Sequence, residues 1–319
     1  MYTRREFGAL SAMALGGLAL PRRLAAQIDS TVGGVKIGVQ TYSFRALPRS
    51  VAIVEHDRTA VWPPGEDQSE AIIQAMTRCR IGDCELWSPM LEPVSGVGRD
   101  ASPDARRQAR DELRRWRVET PLSYFEAIRD RFTVAGLTIY GFNYSFDDSF
   151  SDDEIDRGFE IARALGAEII TASSTLSAMK RVVPFAARHQ MVVAVHNHSN
   201  ISDPNEFARP ESFAAAMALS PYVKVNLDIG HFTAANYDPV AYLREHHASI
   251  SNLHLKDRRR DQGANVPWGT GDTPIREVLQ LLQRERWPIR AHVEYEYRGS
   301  GSPVDEVIRC YNYVKQALV

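Results

Sequence analysis

The 319-residue sequence has little cysteine and almost no net charge. Its three cysteines, Cys79, Cys84 and Cys310, form no C-x-x-C pair, which argues against a disulfide framework and against a thiolate zinc site. The 38 Lys and Arg nearly balance the 40 Asp and Glu, so the formal net charge is -2. Because no basic run dominates, we expect no nucleic-acid partner and favour a small polar substrate.

The sequence also lacks the glycine-rich motifs that bind nucleotide phosphates. The run VKIGVQTYSF at residues 35–44 predicts the first strand, and neither G-x-G-x-x-G nor G-x-x-x-x-G-K follows it. Open, doubly wound sheets carry these motifs at the turn after their first strand. Their absence argues against that architecture, which is the main competitor for a chain of alternating strands and helices.

The first 26 residues differ from the rest of the chain. Arg4 and Arg5 precede an apolar stretch that is too short to span a bilayer, and an Ala-rich end follows. This pattern predicts an export signal and resembles the twin-arginine type, with cleavage after Ala26. We therefore expect a periplasmic protein with one domain at residues 27–319 and no stable membrane span. An uncleaved membrane anchor is the alternative.

Apolar runs rich in β-branched residues alternate with helical patterns along the remaining chain. The helical patterns include SEAIIQAMTRC at residues 69–79 and SDDEIDRGFEIARALG at residues 151–166. Eight strand–helix units in succession are typical of a closed parallel (β/α)8 barrel, the TIM barrel. In that fold the active site lies at the C-terminal ends of the strands, so polar residues that end a strand are the candidates for function.

Four late strands end in side chains that can bind a metal. The runs are MVVAVHNH, VKVNLDIGHF, ISNLHLKD and IRAHVEYE, and they deliver His196, Asp228, His254 and Glu294 to the strand ends. His198 ends the first of these runs on the same strand face as His196, and it is the alternative to His196 as ligand. We expect His231 on the loop after Asp228. Imidazole and carboxylate together suit a divalent cation of the Mn, Co, Zn, Fe or Mg kind. The sequence therefore predicts one metal site at the barrel mouth.

The order of these motifs, with the WGTGD loop at residues 268–272, resembles the xylose isomerase-like TIM barrel superfamily and its sugar phosphate isomerase/epimerase branch. The resemblance implies one divalent metal, most often manganese, held by the positions of His196, Asp228, His254 and Glu294. It also implies that His231 and Arg260 hold substrate oxygens. Members are often dimers or tetramers, so a homo-oligomer is expected.

One position departs from this family. Relatives with epimerase activity carry Glu where this chain has His196, and there two facing glutamates act as the acid and base pair. A metal-bound imidazole has committed its lone pair and is a poor second base. We therefore expect proton abstraction next to the carbonyl of a keto-sugar, through an enediolate, but not the two-glutamate form of epimerisation.

Three alternatives follow from the same site. A leaving group β to the carbanion would make the protein a lyase or dehydratase, for example on a 3-keto-glycoside. A barrel that had lost its base would only bind sugar. Endonuclease action at abasic DNA, as in a related branch, would need more metal ligands and a basic surface, which the balanced charge does not supply.

Several residues near the expected mouth are candidates for the base or for the pocket wall. Lys256 shares a strand face with His254, and burial near a metal is expected to lower the pKa of its amine towards neutrality. Glu85 is expected at the end of the second strand, across the mouth. The candidates for the base are Glu294, Lys256, His231, Glu85 and Glu296. The candidates for substrate contact are His198, Tyr42, Trp87, Tyr144 and Trp268, whereas His292 is assigned to packing.

Overall fold

Eight parallel strands pair in chain order, and the last pairs with the first, so the sheet closes into a barrel. The structure is a computed structural model that describes residues 25–49, 67–94, 97–98 and 100–319. A short strand β1, Thr31–Val32, pairs antiparallel with the first barrel strand. The barrel strands are β2 Val35–Gln40, β3 Asp83–Trp87, β4 Thr138–Asn143, β5 Ile169–Ala172, β6 Val192–His196, β7 Val223–Asp228, β8 Ile250–Leu255 and β9 Arg290–Val293.

Helices follow the strands and cover the outside of the barrel. They are α1 Ser69–Cys79, α2 Pro103–Glu119, α3 Leu122–Val134, α4 Asp152–Ala164, α5 Leu176–His189, α6 Pro210–Met217, α7 Ile229–Ala234, α8 Pro239–His246, α9 Ile275–Glu285 and α10 Pro303–Ala317. The predicted TIM barrel is therefore confirmed. The runs VKIGVQTYSF and VKVNLDIGHF extend beyond the strands that form, because a side chain caps a helical turn at the end of each strand. The Gln40 side chain accepts the N–H of Tyr42 at the start of a turn of 3₁₀ helix, Thr41–Phe44.

The apolar core lies between the barrel strands and the helices, where side chains such as Phe125, Phe159 and Leu279 are fully buried. Helix α4 illustrates how the sequence sets these elements. The Ser151 hydroxyl accepts the N–H of Glu154, and the Glu154 carboxylate accepts the N–H of Ser151, so the two form a capping box. The apolar side chains of α4 recur at helical spacing and point to the barrel.

The predicted export signal lies outside the described residues, apart from its last two positions. Just before β1, the Ala25 N–H donates to the Val134 carbonyl and the Ile28 N–H donates to the Gly136 carbonyl. Among the residues that the structure describes, no helix is long and apolar enough to cross a membrane. Export, cleavage and the boundary of the domain stay predictions.

Candidate metal centre

Four buried side chains meet at the C-terminal ends of neighbouring strands. His196 ends β6, Asp228 ends β7, His254 lies in β8, and Glu294 follows the last residue of β9. One ligand atom from each lies within 4.8 Å of the others, and all four residues are buried. The pairing of β7 with β8 sets Asp228 directly beside His254. The barrel thus assembles the four residues that the sequence predicts as metal ligands.

The imidazoles of the cluster are oriented by their neighbours. Nε2 of His196 lies 3.3 Å from Oδ2 of Asp228, and its Nδ1 lies 3.2 Å from the hydroxyl of Ser173. Nδ1 of His254 lies 3.2 Å from Oε2 of Glu294, while its Nε2 lies 2.8 Å from Oε2 of Glu85. Each ring therefore presents one nitrogen to the cluster and gives the other to a residue behind it.

The donor set fits a divalent cation. Nδ1 of His254 and Oε2 of Glu294 are buried, and neither has a hydrogen-bond partner of acceptable geometry. Buried polar atoms are rarely left in this state, because each such atom has lost its hydration. Two imidazole nitrogens and two carboxylates are the ligands that borderline to hard divalent metals prefer. The cluster can therefore hold a metal, and nothing in its geometry selects manganese over the alternatives.

Asp228 caps a helix in addition to contributing a carboxylate to the cluster. It is the N-cap of α7, and its Oδ1 accepts the N–H of His231 at 2.6 Å. The prediction that His231 lies on a loop is therefore wrong, because this cap begins a helix at Ile229. A Cβ at Gly230 would lie 2.3 Å from Cγ of Lys256, so glycine lets α7 pack against the end of β8. Asn197 pairs with both the N–H and the carbonyl of Asp228 and fixes the strand end.

Lys256 lies among the carboxylates of the cluster. Its Nζ is 3.0 Å from Oδ2 of Asp228, 2.7 Å from Oε2 of Glu294 and 2.6 Å from Oε2 of Glu296. Burial by itself lowers the pKa of this amine, but the three carboxylates outweigh it and raise the pKa above its ordinary value. The expectation of a lowered pKa is wrong, because the sequence does not reveal how many carboxylates surround the amine.

Glu85 lies inside the barrel, not across its mouth. It occupies the middle of β3, is fully buried, and contacts His254 from the side opposite Glu294. The register between β3 and β4 shifts between Cys84 and Glu85, and this irregularity accompanies the inward turn of the Glu85 side chain. The expected position at the strand end is wrong by about two residues, since β3 continues to Trp87.

A family model described as "Xylose isomerase-like TIM barrel" matches residues 101–313. The chain belongs to this family. The match spans β4 to β9 and so contains all four residues of the cluster. No curated protein matches the chain.

Solved structures with the same fold cover nearly the whole chain at low identity. A sugar phosphate isomerase/epimerase from Parabacteroides distasonis is 16% identical, with 94% of this chain and 100% of that chain covered and a TM-score of 0.54. The probable 3-DHS dehydratase AsbF from Bacillus anthracis is 15% identical, with coverage of 88% and 98% and a TM-score of 0.58. A D-tagatose 3-epimerase-like protein is 14% identical, with coverage of 88% and 98% and a TM-score of 0.54. At these identities the likeness shows the fold alone.

In this xylose isomerase-like barrel, Arg258 is the arginine that touches the predicted site. Its Nη1 donates to Nδ1 of His231 at 2.6 Å and to the hydroxyl of Ser199 at 3.0 Å. Arg260, the position that the resemblance implies, is exposed, and its backbone N–H donates to Asp272. The ring of His198 is 5.2 Å from those of His196 and His231, so His198 lines the site. Burial and the neighbouring His196 and Lys256 lower the pKa of His198 to about 4.

The predicted aromatic walls divide into two groups. Tyr42 lies just after β2, and Trp87 is the last residue of β3. Their rings pack edge to face with centroids 4.8 Å apart. Both are partly exposed, so they remain available to a ligand at the mouth. Tyr144 is buried against Phe142 and Phe146 and belongs to the core. Trp268 packs edge-on against Tyr313, which places it on the outer side of its loop.

The WGTGD loop is fixed to the barrel by Asp257, which follows β8. The carboxylate of Asp257 accepts the backbone N–H groups of Gly269, Gly271 and Thr273. A Cβ at Gly271 would lie 2.1 Å from Oδ1 of Asp257, so only glycine allows this approach. The last two residues of the ISNLHLKD run thus have separate functions. Lys256 pairs with carboxylates of the cluster, whereas Asp257 holds the loop.

Asp257→Ala is expected to lower the free energy of unfolding by roughly 2–4 kcal/mol, because three backbone N–H groups lose a charged acceptor. Urea unfolding followed by circular dichroism measures this loss. Asp272→Ala is the matched control, since the Asp272 carboxylate accepts one exposed N–H, that of Arg260. An equal loss in the two variants would contradict the role given to Asp257.

Sequence reasoning missed the residues that surround the ligands. Ser173, Asn226, Asn252 and Arg258 contact the cluster or its immediate neighbours. The only sequence signal for the asparagines is a polar residue inside an otherwise apolar strand, at Asn226 in VKVNLD and Asn252 in ISNLHL. Such residues point into a barrel interior that is polar, and this could have identified them.

Proposed function

We propose that this protein is a divalent-metal-dependent enzyme that acts on a keto-sugar by abstracting a proton next to the carbonyl. The observation that carries the proposal is the cluster of His196, Asp228, His254 and Glu294, whose buried ligand atoms lie within 4.8 Å of one another. These four residues would hold the metal. When bound, a divalent cation supplies Lewis acidity to a carbonyl oxygen and so acidifies the neighbouring C–H bond.

Glu294 is the proposed base, because it is the only carboxylate of the cluster at the position of a family acid/base glutamate. Burial alone raises its pKa, but Lys256 and His254 outweigh burial and lower the pKa to about 2, so Glu294 is ionised at neutral pH. His231 would donate to a substrate oxygen. Its Nδ1 accepts a hydrogen bond from Arg258, which leaves Nε2–H as the free donor.

The proposed substrate enters through the cavity beside the cluster. This cavity has a volume of about 610 Å³ and is lined by Arg258, Asn265, Glu296 and Arg298, among others. Its volume lies within the range of small-molecule sites, and polar and apolar atoms contribute about equally to its lining. Glu296 joins the cavity to the cluster, since its Oε2 binds Lys256. A sugar is the class of molecule that matches such a lining.

Elimination by a lyase or dehydratase is the second candidate, and two observations favour it over epimerisation. His196 occupies the position of the second glutamate, so the opposite face of the sugar carbon has no carboxylate base. The Lys256 ammonium lies within 3.0 Å of Glu294 and Asp228 and can supply a proton to a leaving group. A 3-keto-glycoside in the periplasm would carry such a leaving group.

The test is an NMR time course in deuterated water with metal-loaded protein and a panel of ketoses and 3-keto-glucosides. Deuterium next to the carbonyl without loss of the aglycone is expected for isomerisation or epimerisation. Release of the aglycone with a new vinylic proton is expected for elimination. Glu294→Gln is the control and is expected to slow either reaction by at least about 100-fold. Binding of these sugars with neither reaction would contradict the proposal and favour a sugar-binding barrel.

A further inference from the structure

We propose that Glu85 is a positioning residue for the metal centre: its carboxylate keeps the proton of His254 on Nε2 and thereby presents Nδ1 to the metal. The inference rests on the proposed function, because it requires that His254 binds a metal. It assigns a role to a buried acid that lies behind the cluster, where it cannot touch a substrate. It also explains why a carboxylate is present in the interior of the barrel at all.

Glu85 lies at the centre of the barrel interior. Seven side chains from six other strands approach its two oxygens: Gln40, Asn143, Thr171, Asn226, Asn252, His254 and His292. A side chain can meet so many strands only from inside the barrel. The side chain of Glu85 is 0% exposed, so this network is closed to solvent.

The carboxylate is held so that it cannot turn away from His254. Its Oε1 lies 2.6 Å from Nε2 of Gln40, 2.7 Å from Oγ1 of Thr171 and 3.1 Å from Nδ2 of Asn143. Its Oε2 faces His254 at 2.8 Å and Nδ2 of Asn252 at 3.0 Å. Because these neighbours are donors to both oxygens, Glu85 must be the acceptor throughout, and it is therefore ionised.

An ionised acceptor at 2.8 Å requires a proton on Nε2 of His254. Two neighbours could favour the opposite tautomer. Oε2 of Glu294 lies 3.2 Å from Nδ1, but a bound cation would take the place of a proton there. Nδ2 of Asn226 lies 3.0 Å from Nε2. That amide has a second acceptor within reach, because Nδ2 of Asn226 is also 3.3 Å from Oε2 of Glu85. The charged hydrogen bond is stronger than the neutral one, so the carboxylate decides the tautomer.

With Nε2 protonated, Nδ1 is the nitrogen that is free to bind a metal. It faces Oε2 of Glu294 at 3.2 Å and Oδ2 of Asp228 at 4.0 Å. Carboxylates that hold the second nitrogen of a metal-bound histidine commonly raise metal affinity in this way.

His292 contacts Glu85 from the N-terminal side of the barrel. Its Nδ1 lies 3.4 Å from Oε2 of Glu85, and its Nε2 lies 3.2 Å from Oδ1 of Asp83. Asp83 is in turn 3.5 Å from Arg290. His292 is therefore more than a packing residue, because it connects the buried acid to charged groups at the N-terminal end of the barrel. This connection fixes the position of Glu85 on the N-terminal side of His254 in the barrel interior.

The direct test uses wild-type protein labelled with ¹⁵N-histidine and loaded with ¹¹³Cd. We expect cadmium coupling to Nδ1 of His254 and a slowly exchanging proton on Nε2. Coupling to Nε2 with metal bound in stoichiometric amount would overturn the inference and leave the proposed function standing. Failure of wild-type protein to bind Cd, Mn, Co or Zn would overturn both.

Glu85→Gln tests the role of the carboxylate itself. We expect metal affinity to fall by about 10–100-fold, as for other residues that hold a metal-bound histidine, and the Nε2 proton to exchange faster. Glu154→Gln is the matched control, since Glu154 is a buried carboxylate in ion pairs with Arg114 and Arg117, away from the cluster. Unchanged affinity in folded Glu85→Gln would also overturn the inference. If that variant does not fold, the cadmium coupling in the wild type decides.

Discussion

His254→Ala is expected to abolish stoichiometric metal binding and to lower activity by at least about 1000-fold. The variant removes one of the four proposed ligands, and it removes the imidazole that lies between Glu85 and Glu294. Losing a ligand should cost more affinity than the 10–100-fold that is typical of residues behind a ligand. Metal content after dialysis and calorimetric titration with Mn, Co or Zn measure the effect, and circular dichroism checks the fold.

The matched control for this experiment is His198→Ala. The His198 ring packs 5.2 Å from that of His196, but His198 is not one of the four residues of the cluster. This variant is expected to keep its metal, even if it binds sugar less well. Asp228→Asn is a second ligand variant that keeps an oxygen to cap α7 and removes the charge. Retention of full metal affinity in both His254→Ala and Asp228→Asn would refute the metal centre.

Lys256→Met is expected to destabilise the metal-free protein by about 3–5 kcal/mol, the usual result of removing one partner from a buried ion pair. Asp228, Glu294 and Glu296 would lose the ammonium that lies between them. A bound divalent cation would return positive charge to two of these carboxylates. Metal should therefore raise the melting temperature of the variant more than that of the wild type.

Thermal and urea unfolding with and without metal measure this difference. Lys180→Met, on the exposed face of α5, is the matched control and is expected to change stability by less than about 0.5 kcal/mol. Equal stabilisation by metal in wild type and Lys256→Met would show that the ammonium and the cation do not share these carboxylates.

The same ion pairs predict a dependence of stability on pH. The folded pKa of Glu294, about 2, is below its ordinary value of 4.5. A lowered carboxyl pKa contributes stability above the ordinary value, and that contribution is lost as the pH falls towards the folded value. The free energy of unfolding of the metal-free wild type should therefore decrease between pH 4.5 and pH 2. In Lys256→Met this decrease should be smaller, because the main cause of the lowered pKa is absent.

The alternation of elements could be predicted because it depends on local patterns. Helix α1 begins and ends where SEAIIQAMTRC predicts, and the capping residues of α4 were identifiable from Ser151 and the acids after it. Polar residues at the ends of β6, β7 and β8 were also identifiable, since parallel strands bring their C-terminal ends to one side. The export signal, the homo-oligomer and the native metal stay predictions.

The sequence by itself determined the barrel and the four side chains of the cluster, because the periods of strand and helix and the residues at strand ends are local information. Only the tertiary structure decided what surrounds them. It placed Glu85 behind His254 and brought Glu296 to Lys256 from across a strand pair. It also made Arg258 the partner of His231. The charge state of a buried group depends on the sum of its neighbours in space, and those neighbours come from strands far apart in the chain.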